Sequence, residues 1–198
     1  MQSSLPIQLD AHQGIREGSR TFAGKALLTI AATGLMAVCA HVSVPLYFTP
    51  VPMTLQTLGV LFLGLTLGPE MGFAAMALYL AEGAMGLPVF SPHGVGGVAQ
   101  LLGPTGGFLF SYPLAAAAAG AVVRIFRLTR ARFLEAVLGG VASSVLIFTM
   151  GAGWLAHVLH LSPTAAWHLG VAPFLPGDAI KTTIAASVYT SLRRWHRV

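Results

Sequence analysis

The chain has 198 residues, 55% of them hydrophobic and only 9% charged, with a mean hydropathy of +0.76. Soluble domains carry about 25% charged residues, so this composition excludes a water-soluble globule and points to an integral membrane protein. The net charge of +5 does not mark a nucleic-acid binder, because the basic residues flank apolar runs and form no continuous face with interleaved aromatics.

Residues 1–25 are polar, carry Arg16, Arg20 and Lys25, and read as a cytoplasmic lead-in to a membrane domain over 26–198. Ala26 to Val44 is a first apolar segment of 19 residues. It is long enough to span and longer than the roughly 7–15 residues of a signal-peptide core. Pro45, Pro50 and Pro52 then break the chain. Thr54 to Gly68 is a short second segment with Thr54, Gln56 and Thr57 in its first turn, and Gly68-Pro69-Glu70 is a tight turn. Met71 to Leu87 is the third segment and contains Tyr79 and Glu82. Ser91 to Thr105 is a Gly-rich connection, read as a loop folded back over a pocket, where glycine permits close backbone approach. Phe108 to Phe126 and Phe133 to His157 are the fourth and fifth segments. A His-containing connection leads to the sixth, which runs from Asp178 into Arg193, Arg194 and Arg197. The lone Cys39 lies in an apolar run and excludes an intrachain disulfide.

The Lys and Arg residues fix a topology, since cytoplasmic loops carry them. Three stand in the N-terminal lead-in, four around the turn between segments four and five, and three in the C-terminal tail. Of the eleven, Lys181 alone is left over. The expected fold is an all-α bundle of six transmembrane helices with both termini cytoplasmic. The prolines and glycines gather on the outer side. Interrupted backbone at membrane depth is tolerated where it is buried by protein or lines a cavity. A cavity is therefore expected in the outer half, beneath the Pro45–Met53 and Ser91–Thr105 connections.

Lys181 belongs to the stretch Pro176-Gly177-Asp178-Ala179-Ile180-Lys181-Thr182-Thr183, which opens the last apolar segment. On a helix, Asp178 and Lys181 share a face. A charge at bilayer depth costs about 2.5–3.5 kcal/mol on insertion scales, so the pair is read as a functional site, with a structural ion pair as the alternative. Gln56, at the outer end of segment two, is placed to join it. Glu82 is either interfacial or a partner of Lys181. His157, His160, His168, Trp154 and Trp167 suit an interfacial belt, and no metal site is expected from them. Thr29, Thr33 and Ala37 form a small-residue stripe that serves either docking of a partner or internal packing.

Four motifs carry a family resemblance: Phe48-Thr49-Pro50-Val51-Pro52-Met53-Thr54-Leu55-Gln56-Thr57-Leu58-Gly59, Gly86-Leu87-Pro88-Val89-Phe90, Leu102-Gly103-Pro104-Thr105-Gly106-Gly107 and Pro176-Gly177-Asp178-Ala179-Ile180-Lys181. In this order and spacing the chain resembles the BioY family, the biotin-binding S components of energy-coupling-factor (ECF) transporters. The resemblance implies a six-helix plasma-membrane protein that captures biotin from outside with high affinity. It also implies a transmembrane coupling protein and two cytoplasmic ATPases as partners, and Asp178 and Lys181 as ligand-binding residues. The chain departs from some members where Val95 replaces a polar ligand-contacting residue and Leu109 a basic one. His93 and Gln100 are expected to stand in for them.

The chemistry of the residues agrees. Biotin offers a carboxylate for Lys181, ureido N–H groups for Asp178, and a carbonyl or N–H for Gln56. Tyr79 and Phe90 are placed to pack on its apolar parts, or alternatively serve as core. Charge by itself does not separate biotin from another small carboxylate. No P-loop pattern is present, so energy comes from partners or the substrate gradient, and no cofactor is expected. The competing reading, an intramembrane acid–base enzyme using Asp178, Lys181 and a histidine, lacks a nucleophile in a recognisable motif with a base.

Overall fold

The structure, a computed structural model, describes residues 21–126 and 131–195. Most of the expected lead-in over 1–25 thus lies outside the described residues. Helix α1 already begins at Phe22 and runs to His41, capped by the Thr21 hydroxyl, which accepts from the Gly24 N–H. A two-residue hairpin follows, β1 (Ser43–Val44) pairing antiparallel with β2 (Met53–Thr54). Then come α2 (Gln56–Leu67), α3 (Pro69–Ala84), a six-residue α4 (Gly97–Leu102) and α5 (Gly106–Ile125). The chain closes with α6 (Arg132–Leu159), α7 (Pro163–Gly170), a 3-10 turn (Ala172–Phe174) and α8 (Leu175–Trp195).

The fold is a mostly helical membrane bundle with one short β-pair. By length and composition α1, α5 and α6 are apolar enough to cross a membrane, and α2 is a shorter apolar helix. The α2–α3 turn is sharp because Gly68 adopts φ 83° and Pro69 opens the next helix with no N–H to lose. Helix α6 ends where His160 turns left-handed, with Pro163 beginning α7. The expected loop over 91–105 and the connection to Phe174 therefore each contain a short helix, α4 and α7. Both are too brief to show periodicity in a chain that is apolar nearly throughout.

Small residues set the packing, as expected where lipid removes any hydrophobic drive between helices. A Cβ on Gly64 would stand 2.4 Å from the Ala116 carbonyl oxygen, and one on Gly139 2.8 Å from that of Ala119. These glycines bring α2 and α6 against the Ala-rich stretch of α5.

Hydrogen bonds sort the connections into two ends. At one, Arg124 pairs with Glu70 and the Arg132 guanidinium donates to the Arg193 carbonyl. At the other, the Thr49 hydroxyl donates to the Leu169 carbonyl (2.7 Å) and the Trp154 indole to that of Gly103 (2.9 Å). The charged turns and the Pro/Gly-rich connections thus occupy opposite ends of the bundle. Within the bundle the Thr33 hydroxyl turns inward, between the Ile30 carbonyl (2.9 Å) and the Glu82 carboxyl (3.1 Å). Glu82 is therefore held by α1 and not by Lys181, and Thr33 belongs to internal packing and not to an outward stripe.

Candidate functional site

The hairpin, the loop into α4, and helices α2, α5, α6 and α8 enclose a cavity at the Pro/Gly-rich end. The space measures about 610 Å³ including its open mouth. Small-molecule sites are mostly apolar with a few placed polar groups. Here the apolar wall includes Val51, Phe108, Leu109, Ile147, Phe148 and Phe174, and the polar groups are Thr54, Gln56, Thr57, Ser91, Gln100, Asp178 and Lys181 among others.

Helix α8 supplies both charges. It begins three residues before Asp178, so that acid sits in the first turn, where the positive helix end favours it. Lys181 follows on the same face and crosses to α2. Its ammonium donates to the Thr54 carbonyl (2.6 Å) and the Thr57 hydroxyl (3.1 Å). Among the described residues the sole salt bridge within 4.0 Å is that of Arg124 with Glu70, so Asp178 and Lys181 are neighbours without a direct ion pair. The Ser144 hydroxyl of α6 lies beside the Asp178 carboxyl. Asp178 and Phe148 also border a groove on the outer face between α6 and α8, with Val141, Val145 and Trp167. Their side chains form the partition between the cavity and the exterior of the bundle.

Gln56 enters at the start of α2, where its amide is fixed at both ends. Its Nε2 donates to the Tyr79 hydroxyl (2.8 Å) and its Oε1 accepts from the Thr54 hydroxyl (3.1 Å). Gln100 lies against the loop that precedes it. Its Oε1 accepts from the Gly96 N–H (3.1 Å), and its amide occupies the space a side chain at Gly94 would fill.

The structure thus brings Gln56, Gln100, Asp178 and Lys181 to one cavity. Tyr79 and Phe90 stand behind its wall, packed edge to face with ring centroids 5.4 Å apart. His93 lies exposed on the loop, outside the lining, and Val95 is 80% exposed. The role expected of His93 as a stand-in has no geometric support, because its loop turns the side chain to the surface. Leu109 lines the cavity, so where some relatives place a basic residue this wall is apolar. Sequence reasoning missed Ser91 and the part of Thr54 and Thr57 in holding Lys181. The two threonines flank Gln56 in its motif and Ser91 directly follows Gly86–Phe90, which was the available signal.

A family model described as the BioY family matches residues 11–197. The chain belongs to the BioY family. It is 36% identical over 159 residues to the probable biotin transporter BioY of Pyrococcus horikoshii, covering 80% of this chain and 90% of that one. It is 36% identical over 162 residues to the biotin transporter BioY of Thermotoga maritima, covering 82% and 91%. With the biotin transporter BioY of Rhizobium etli it shares 38% over 153 residues, covering 72% and 78%. The fold superposes on the crystal structure at 2.1 Å of the S-component for biotin from an ECF-type ABC transporter, with a TM-score of 0.79. That likeness covers 94% of this chain and 95% of the other at 23% identity, and it shows the fold alone. This BioY-family chain is a multi-pass protein of the cell membrane.

Proposed function

We propose that this chain is the substrate-binding subunit of a biotin transporter, and that biotin occupies the cavity between the hairpin and α8. One observation carries the reading: in a BioY-family chain, an ammonium and a carboxylate on one face of α8 border a mostly apolar chamber. Lys181 neutralises the biotin carboxylate, and Asp178 accepts from the ureido N–H groups. Residues 26–198 form the binding domain, with six spans and both termini cytoplasmic. The chamber opens to the outer side, since the opposite end carries Arg124, Arg132 and Arg193. Movement across the membrane relies on an ECF module, a transmembrane coupling protein with two cytoplasmic ATPases. The protein performs no chemistry on its ligand.

Calorimetric titration of the detergent-purified protein with biotin tests the reading. Saturable binding of biotin, with the ligand recovered unchanged, is the expected result. Absence of binding, or recovery of a modified ligand, refutes it.

A further inference from the structure

Among the described residues, four buried side-chain hydroxyls fall outside hydrogen-bond geometry with any protein group, those of Ser43, Ser91, Ser143 and Ser144, and of these Ser144 still lies beside the Asp178 carboxyl. Ser91 is the one of the four that lines the inner cavity. It is only 5% exposed, and its hydroxyl is withdrawn from water at the chamber wall. A buried hydroxyl left unpaired lowers stability, and such a group persists where something other than the fold makes use of it.

The residues before Ser91 are held with unusual thoroughness. The Tyr79 hydroxyl donates its single proton to the Val89 carbonyl (2.9 Å), so towards Gln56 it acts only as an acceptor, at 2.8 Å. The Tyr79 ring meets Phe90 edge to face. A Cβ on Gly83 would lie 2.0 Å from the Phe90 ring, so that ring rests directly against the α3 backbone. Tyr79 itself is fully buried and does not line the cavity. It therefore ties the chain at 89–90 to α2 and α3 at once and determines where Ser91 stands.

We propose that the Ser91 hydroxyl hydrogen-bonds the bound ligand, and that Tyr79 is the positioning residue that aims it. The inference rests on the reading of the cavity as a biotin site. A hydroxyl both donates and accepts, so it suits a carboxylate or ureido oxygen as well as a ureido N–H.

The test is a pair of measurements on Ser91→Ala in detergent. Removing a hydroxyl that has no partner in the ligand-free protein leaves the melting temperature unchanged or raises it. Removing a ligand contact weakens biotin binding roughly 2- to 10-fold. Affinity and ligand-free stability thus move in different directions, which a structural hydroxyl would not produce. Tyr79→Phe is expected to weaken binding as well, and to cost less in the Ser91→Ala background than alone, as coupled residues do. Wild-type binding with an equally tight Ser91→Ala overturns the Ser91 contact while leaving the biotin site standing. A Ser91→Ala protein that melts lower and binds weaker marks a structural role and overturns it too. Additive losses for the two substitutions overturn the part assigned to Tyr79. Failure of the wild type to bind biotin overturns both this inference and the reading beneath it.

Discussion

Replacing Lys181 by Ala perturbs the site where the geometry is most specific. An ammonium has three N–H donors, and two of those on Lys181 are taken by the Thr54 carbonyl and the Thr57 hydroxyl. One donor remains for a ligand carboxylate. A hydrogen bond to a charged group contributes about 1.5–3 kcal/mol, and truncating one member of a buried charge pair costs about 2–5 kcal/mol. The overlap of these ranges, about 2–3 kcal/mol, corresponds to a loss of roughly 30- to 150-fold in Kd. Isothermal titration with biotin and with biotin amide, on wild type and Lys181→Ala, isolates the carboxylate contribution as a double-mutant cycle. The amide is expected to bind wild type weakly and to lose little more on Lys181→Ala. Lys181→Arg is expected to rescue only partly, because a planar fork does not reproduce a compact ammonium seated between Thr54 and Thr57. Equal losses for biotin and its amide would refute the carboxylate contact and leave Lys181 as a tie between α8 and α2.

Three further outcomes follow from the packing and the charge distribution. In a Cys39→Ala background, a cysteine at Ala131 is expected to react with an impermeant maleimide only from the cytoplasmic side and one at His93 only from outside; the reverse pattern would invert the bundle and its cavity. Gly64→Ala pushes a Cβ to within 2.4 Å of the Ala116 carbonyl oxygen, so the melting temperature in detergent should fall by the equivalent of about 1–3 kcal/mol, and an unchanged value would contradict the close α2–α5 contact. Thr33→Val removes the hydroxyl beside Glu82 and is expected to lower stability by about 1 kcal/mol while biotin affinity, measured by titration, stays at the wild-type value. A large loss of binding would instead place Glu82 in the ligand's surroundings.

Much of the architecture was legible before any fold was seen. The apolar segments matched the long helices to within a few residues, since a run of apolar side chains bounded by Arg, Pro or Gly has few other ways to be stable in a bilayer. Asp178 and Lys181 stood out because a charge in such a run is costly and rarely incidental. Gln56, at the outer end of its segment, and Gln100, expected to stand in for a missing contact, both line the cavity. What the sequence left open were partners and faces. A membrane helix is apolar all round, so periodicity does not say which side of α1 holds Thr33 inward against Glu82. Lys181 finds Thr54 and Thr57 across separations of 127 and 124 residues, and no local pattern encodes such a pairing. His93 was chosen by its chemistry, yet the direction in which its loop turns put it on the surface. Tyr79 and Phe90 proved to stand one layer behind the cavity wall, and Ser91, unremarkable as a residue type, joined the lining. Composition and charge settled that the chain spans a membrane and which helix brings the charged pair to the cavity. Only the packing of α2 against both α3 and α8 decided which side chains meet there, because hydrogen-bond geometry is a property of neighbours in space and not of neighbours in the chain.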